Sequence, residues 1–150
     1  MDALEAIKKR KSVRSFSSKK IDKETIDKIM EAGKGAPSAG GLNTQKFFVF
    51  TDEKDKESLA QIAYGQEFVA KAPLVVVVAV DEKKSKSRYG NRGEFYSVCD
   101  GSAAVQNILL ASTAFNLGSC WVGAFDDNAL KKFLKTEAKP IAIVPIGYPN

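Results

Sequence analysis

The chain contains no histidine and only two cysteines. Without an imidazole, Ser-His-Asp and Cys-His catalysis are excluded, and two separated thiols leave no plausible zinc site. Chemistry must therefore use Lys, Arg, Tyr or carboxylate side chains, or a cofactor. Cys99 and Cys120 stand at opposite ends of the most apolar helical stretch, roughly 30 Å apart at a rise of ~1.5 Å per residue. They are expected to be reduced core thiols rather than a disulfide. Long hydrophobic runs are also missing. The longest, Ala72–Val80, has nine residues, where a bilayer span needs about 20. The opening MDALEAIKKR has no apolar signal-peptide core, so a cytoplasmic protein with no membrane partner is expected. No GxGxxG follows the strong strand pattern, and the glycine-rich segment lacks the Gly-Lys-Ser/Thr ending of a P-loop.

Anions are scarce near the N-terminus. Residues 1–34 carry ten Lys/Arg against six Asp/Glu, whereas residues 35–150 carry thirteen against twelve. Between Lys8 and Lys20 stand seven cations and no anion. Such a run is most often a solvated face. No nucleic-acid motif and no interleaved aromatics accompany it, so nucleic acid is not an expected partner. A single phosphorylated ligand fits it.

What is present suffices for one domain over residues 1–150, burying about 68–70% of the unfolded surface. Apolar residues are 44% and charged residues 27% of the chain, ordinary for a globular protein. The centre of the pattern is Asp100–Asp127. Ala104, Val105, Ile108, Leu109, Ser112 and Phe115 recur at helical spacing among small residues, which predicts a buried helix. Gly118 is the expected left-handed stop, and Ser119–Val122 reads as a short strand. Gly123 and Ala124 leave its tip without side chains beyond Cβ. Asp126 or Asp127 caps the helix over Asn128–Lys135.

The other elements read off in order. Asp2–Arg10 is an amphipathic helix with Ala3, Leu4, Ala6 and Ile7 inward. In Lys11–Phe16, extended backbone puts Arg10, Ser12 and Arg14 on one side and Val13 on the other. Two guanidiniums and a hydroxyl at that spacing suit an anionic group. Asp22 caps a helix that buries Ile26, Ile29, Met30 and Gly33. Lys46–Asp52 and Pro140–Gly147 are strands, and Lys54–Tyr64 is a helix. Pro73–Asp81 is a central strand covered on both faces. Glu82–Gly93, polar and basic, is expected to be a mobile loop.

Four pieces then stand together: Arg10-Lys11-Ser12-Val13-Arg14-Ser15-Phe16, Ala36-Pro37-Ser38-Ala39-Gly40-Gly41, Ala104-Val105-Gln106-Asn107 leading to Gly118–Phe125, and Ile143-Val144-Pro145-Ile146-Gly147-Tyr148-Pro149. In this order and spacing, over essentially the whole chain, they resemble the FMN-dependent nitroreductase family. The resemblance implies an α+β fold: a mixed central sheet flanked by helices around a buried hub helix, in an interlocked homodimer with FMN at the interface. It implies an oxidoreductase that takes hydride from NADH or NADPH on flavin N5 and reduces a small organic acceptor of nitroaromatic or quinone type. Azoline oxidation in peptides, or flavin binding without turnover, are the alternatives.

By the same resemblance, Arg10, Lys11, Ser12 and Arg14 meet the phosphate, ribityl chain and N1/O2 edge of FMN. Pro37, Ser38, Ala39 and Gly40 reach the flavin from the other subunit, and Val122, Gly123 and Ala124 lie beside the ring near N5. No side chain is implied as a catalytic residue, and no metal. Family members usually continue past Gly-Tyr-Pro to a further phosphate-binding Lys or Arg, which has no match before Asn150. The amide that many aim at the flavin's pyrimidine edge has only Gln66 as a candidate.

Overall fold

Seven consecutive side chains, Leu74–Val80, are completely buried and form strand β2 of the computed structural model, which describes Met1–Asn150. Only a strand covered on both faces suits such a β-branched run. Strand β1 (Gln45–Phe50) pairs with one edge of β2, and β4 (Lys139–Gly147) with the other. The two-residue β3 (Gly118–Ser119) completes an antiparallel sheet of order β1-β2-β4-β3. Beyond β3, Ser12 makes a parallel bridge to Ser119, so the sheet becomes mixed at this edge.

The pleat sends alternate residues of β2 to two cores. Leu74, Val76 and Val78 join a cluster with Ile29, Val105 and Ile108, from α2 (Lys23–Lys34) and the hub helix α6 (Arg92–Ala114). Val75 and Val77 join Leu59, Val69 and Leu130, from α3 (Glu53–Ile62), α4 (Phe68–Lys71) and α7 (Asp127–Leu134). Caps fix the ends. Asp22 accepts from the Thr25 backbone N–H and hydroxyl, which holds its carboxyl below the usual range, and Asp126 accepts from Ala129.

Several local expectations change. Gly118 does not stop the hub helix; Asn116 does, at φ 58°, where a short polar side chain tolerates the left-handed region. Gly118 is needed for another reason, because a Cβ there would sit 2.7 Å from Val13. The following strand is shorter than Ser119–Val122, which continues only as a bridge from Val122 to Ile143. Glu82–Gly93 is no mobile loop. Asp81 caps Lys84, and Glu82–Tyr89 folds into helix α5, packed along the start of α6. The hub helix starts at Arg92, close to the Glu94–Val98 expected for it, but Cys99 within it is exposed rather than in the core, while Cys120 is buried; both are free thiols.

Burial of the apolar surface is also incomplete. Helix α1 (Ala3–Lys9) rests on α6 through Ala6, and its larger side chains turn away: Leu4 is 78% exposed and Ile7 54%. Spacing identifies an apolar face but not which apolar side chains the fold covers. The hub helix likewise has an outer stripe, with Phe95, Cys99, Gln106 and Phe115 exposed. From Gly101 to Phe125 the chain carries no charge at all.

Candidate functional site

The basic segment after α1 is held extended by backbone alone. Arg10 N–H closes the helix on Ala6 O at 2.9 Å, Val13 N–H donates to Ser119 O at 2.9 Å, and Ser17 N–H to Tyr148 O at 2.9 Å. Val13 and Phe16 turn into the core, the valine lying flat on Gly118. Lys11, Ser12 and Arg14 are left exposed and Arg10 half-buried. None of the three cations has an ion pair within the chain. They form a row of cationic donors without internal partners on a fixed backbone, the arrangement that suits an anion.

The same sheet edge carries the small-residue tip. From Ser119 the chain runs through Val122, which bridges Ile143, to exposed Gly123 and Ala124. A Cβ at Gly123 would find only Trp121 Nε1, at 3.9 Å, so backbone is open to approach by a flat group. Gln66 donates its amide to Ala63 O (2.9 Å) and Ala124 O (3.2 Å), tying this tip to the end of α3.

Sequence spacing gave no sign of Lys71 or Asn150. Both line a cavity of about 350 Å³ with Arg14, Phe16 and Glu67. Asn150 Nδ2 donates to Ser15 Oγ at 3.0 Å. Lys71 ends α4, and the packing of α4 on β4 carries it to a guanidinium 57 positions earlier in the chain.

The loop Pro37–Gly40 lies elsewhere. Asp100, buried on α6, accepts from Ala39 N–H at 2.9 Å and from Thr44 Oγ1 at 2.7 Å. Gln45 Nε2 donates to Pro37 O at 3.1 Å. Gly40 is left-handed (φ 63°), a conformation glycine takes without strain, and a Cβ there would meet the Tyr89 hydroxyl. Thr44 O accepts from Asp81 N–H, which puts the loop at the end of the sheet where β2 finishes. Ser12, through Ser119 and Ile146, is at the end where β2 begins, opposite Leu74. Six strand steps separate the two ends, about 20 Å at ~3.3 Å each. One chain thus sets the Arg10–Arg14 row and the Val122–Ala124 tip along the same sheet edge, Val122 three strand steps beyond Ser119, and holds Pro37–Gly40 apart from the row. Asp100, the anchor of that loop, also escaped the sequence reading, because a lone Asp inside a small-residue helix carries no spacing signal.

The model of the Nitroreductase family matches residues 7–66 and 62–148. The chain belongs to the nitroreductase family. A nitroreductase family protein from Clostridium novyi NT superposes with a TM-score of 0.87 at 29% identity, over 100% of this chain and 86% of that one. An FMN-dependent nitroreductase from Clostridium difficile R20291 gives 0.85 at 29%, over 98% and 87%. In sequence, the FMN reductase (NADPH) of Bacillus subtilis is 23% identical over 97% of this chain and 63% of its own length. Both superpositions extend over essentially the whole of this chain, its sheet and hub helix included. No helix of the chain is long and apolar enough to cross a membrane.

Proposed function

We propose that the chain is an FMN-dependent oxidoreductase that acts as a homodimer, with residues 1–150 as one FMN-binding domain. The observation that carries the reading is the division of the site. The cation row stands at one end of the sheet with the small-residue tip further along the same edge, whereas the loop Pro37–Gly40 is anchored about 20 Å from the row, out of reach of its own chain's cations. A loop so firmly tethered and so bare of side chains makes sense against a second copy. The outward apolar surface agrees: Met1, Leu4 and Ile7 on α1 and Phe95 and Phe115 on α6 are exposed large hydrophobics. A small apolar hollow of about 290 Å³ lies between α1 and α6. Exposed large apolar side chains on two packed helices suit burial against a partner.

The residues present fit the cofactor. A phosphate needs cations without internal partners, and Arg10, Lys11 and Arg14 supply them beside the Ser12 hydroxyl. A planar ring needs bare backbone, and Val122, Gly123 and Ala124 supply it. Lys71 lines the cavity beside Arg14, together with Glu67, so an ammonium and one carboxylate border the guanidinium. FMN, when bound, accepts hydride at N5 from NADH or NADPH and passes electrons to an oxidised acceptor. The protein's part is to bind and orient. Arg14 and Lys71 would neutralise negative charge on the reduced ring, which favours its reduction. Gln66, by holding Ala124 O, fixes the backbone beside the ring. The open tip admits flat acceptors, which supports nitroaromatics or quinones as the acceptor class.

Anaerobic titration of the FMN-loaded protein with NADPH, then NADH, tests the assignment. At least one should bleach the flavin bands, and menadione or nitrofurazone should restore them. A bound flavin that neither nucleotide reduces would overturn it.

A further inference from the structure

A cavity of about 740 Å³ lies away from the cation row, at the end of the sheet where β2 finishes. It opens between α5, β1 and the connection from α7 to β4. Five lysines line it: Lys46 from β1, Lys83 and Lys86 from α5, Lys131 from α7 and Lys139 at the start of β4. Its volume is that of a small-molecule cleft, yet its lining contains a single apolar residue, Ala138.

The carboxylates offset it only in part: Asp81, Glu82 and Glu137 against five lysines leave the lining two positive charges in excess. Asp81 is engaged as a cap, accepting from Lys84 N–H at 3.0 Å. Glu82 stands between two lysines and bonds neither, at 3.9 Å from Lys86 Nζ and 3.8 Å from Lys139 Nζ. Lys139 has a second looser pairing with Glu94, at 3.5 Å. Lys46, Lys83 and Lys131 have no ion pair. Glu137 sits exposed on the rim. Ammoniums brought together from four elements around one hollow repel one another unless an anion bridges them.

We propose that this cleft binds a ligand through a diphosphate or triphosphate group. One phosphate would engage only part of a ring of five point charges, whereas a chain of phosphates spans it. With no apolar or aromatic wall for a base, recognition rests on the phosphate chain alone. Two sources share this chemistry: the pyrophosphate of the pyridine-nucleotide donor, and a separate nucleotide or inorganic pyrophosphate.

The test is calorimetric titration of the FMN-loaded protein with inorganic pyrophosphate and with adenosine. Pyrophosphate should bind, more weakly as salt is raised, and adenosine should not. Lys83→Glu/Lys131→Glu should weaken pyrophosphate by about tenfold or more and leave FMN retention unchanged. Lys46→Gln/Lys83→Gln, which reverses no charge, should lower affinity in the same direction. Absence of pyrophosphate binding, or equal binding by both variants in folded form, overturns the proposal. The KM for NADPH identifies the source. A parallel rise in the variants assigns the cleft to the donor's pyrophosphate, and an unchanged KM assigns it to a separate ligand; both uphold the phosphate-binding cleft.

Discussion

The two ends of the central sheet are both basic, and they are built differently. Where β2 begins, Arg10 and Arg14 stand on an extended segment pinned by Val13 to Ser119. The bare tip at Gly123 and Ala124 follows further along the same edge. Where β2 finishes, lysines surround a polar hollow, and the loop Pro37–Gly40 is tied down by Asp100. Guanidiniums on a fixed backbone offer directional forks, suited to one orientation of one ligand, while flexible ammoniums offer charge. Net charge alone therefore does not identify a site; the backbone behind the charge does. The first end also lacks a wall of its own, and the second end carries a loop with nothing of its own to cover.

That complementarity breaks most visibly if the copies are kept apart. Leu4→Asp/Ile7→Asp should weaken the dimer by about 3–6 kcal/mol, since each buried aliphatic side chain contributes about 1.5–3 kcal/mol. Both residues are exposed within one chain, so monomer stability should change by no more than about 0.5 kcal/mol. Sedimentation velocity reads the first effect and thermal unfolding the second. A double variant that stays fully dimeric places the interface elsewhere.

A smaller effect is expected at the loop anchor. Asp100→Ala leaves Ala39 N–H and the buried Thr44 hydroxyl without their acceptor, at a cost of about 2–3 kcal/mol of stability. FMN affinity should fall with it, although Asp100 is far from Arg14 in its own chain. Unfolding in urea and FMN titration, run side by side, separate the two consequences. Retained FMN affinity in the destabilised variant would confine Asp100 to its own subunit's fold.

At the other end, Arg14→Ala should weaken FMN by about 1.5–3 kcal/mol, the contribution of a charge-assisted hydrogen bond. Fluorescence quenching of free FMN by apoprotein measures it. Equal affinity in Arg14→Ala and in the parent protein would remove the cation row from the site.

The sequence made legible what repeats with a period. Leu74–Val80 announced a central strand because every position is apolar, and Lys11–Phe16 announced its two sides because extended backbone alternates. It was less informative about partners of an apolar face. Leu4 and Ile7 have the same spacing as core residues, and only tertiary packing shows that Ala6 alone is covered. Glu82–Tyr89 looked like a loop because nothing apolar marks it; its helix comes from the Asp81 cap and from packing on α6. Lys71 and the lysine cleft were illegible for a further reason, since their members meet only through the sheet.

The central claim is that FMN and dimerisation are one equilibrium. If FMN binds only the dimer, ligand at ~100 Kd adds about 2.7 kcal/mol per site by mass action. Sedimentation velocity over a dilution series, followed at the flavin absorbance, tests it directly. The account predicts that bound flavin sediments with the mass of two chains, and that apoprotein dissociates at higher concentration than the loaded form. A flavin-saturated single chain at micromolar concentration would contradict it.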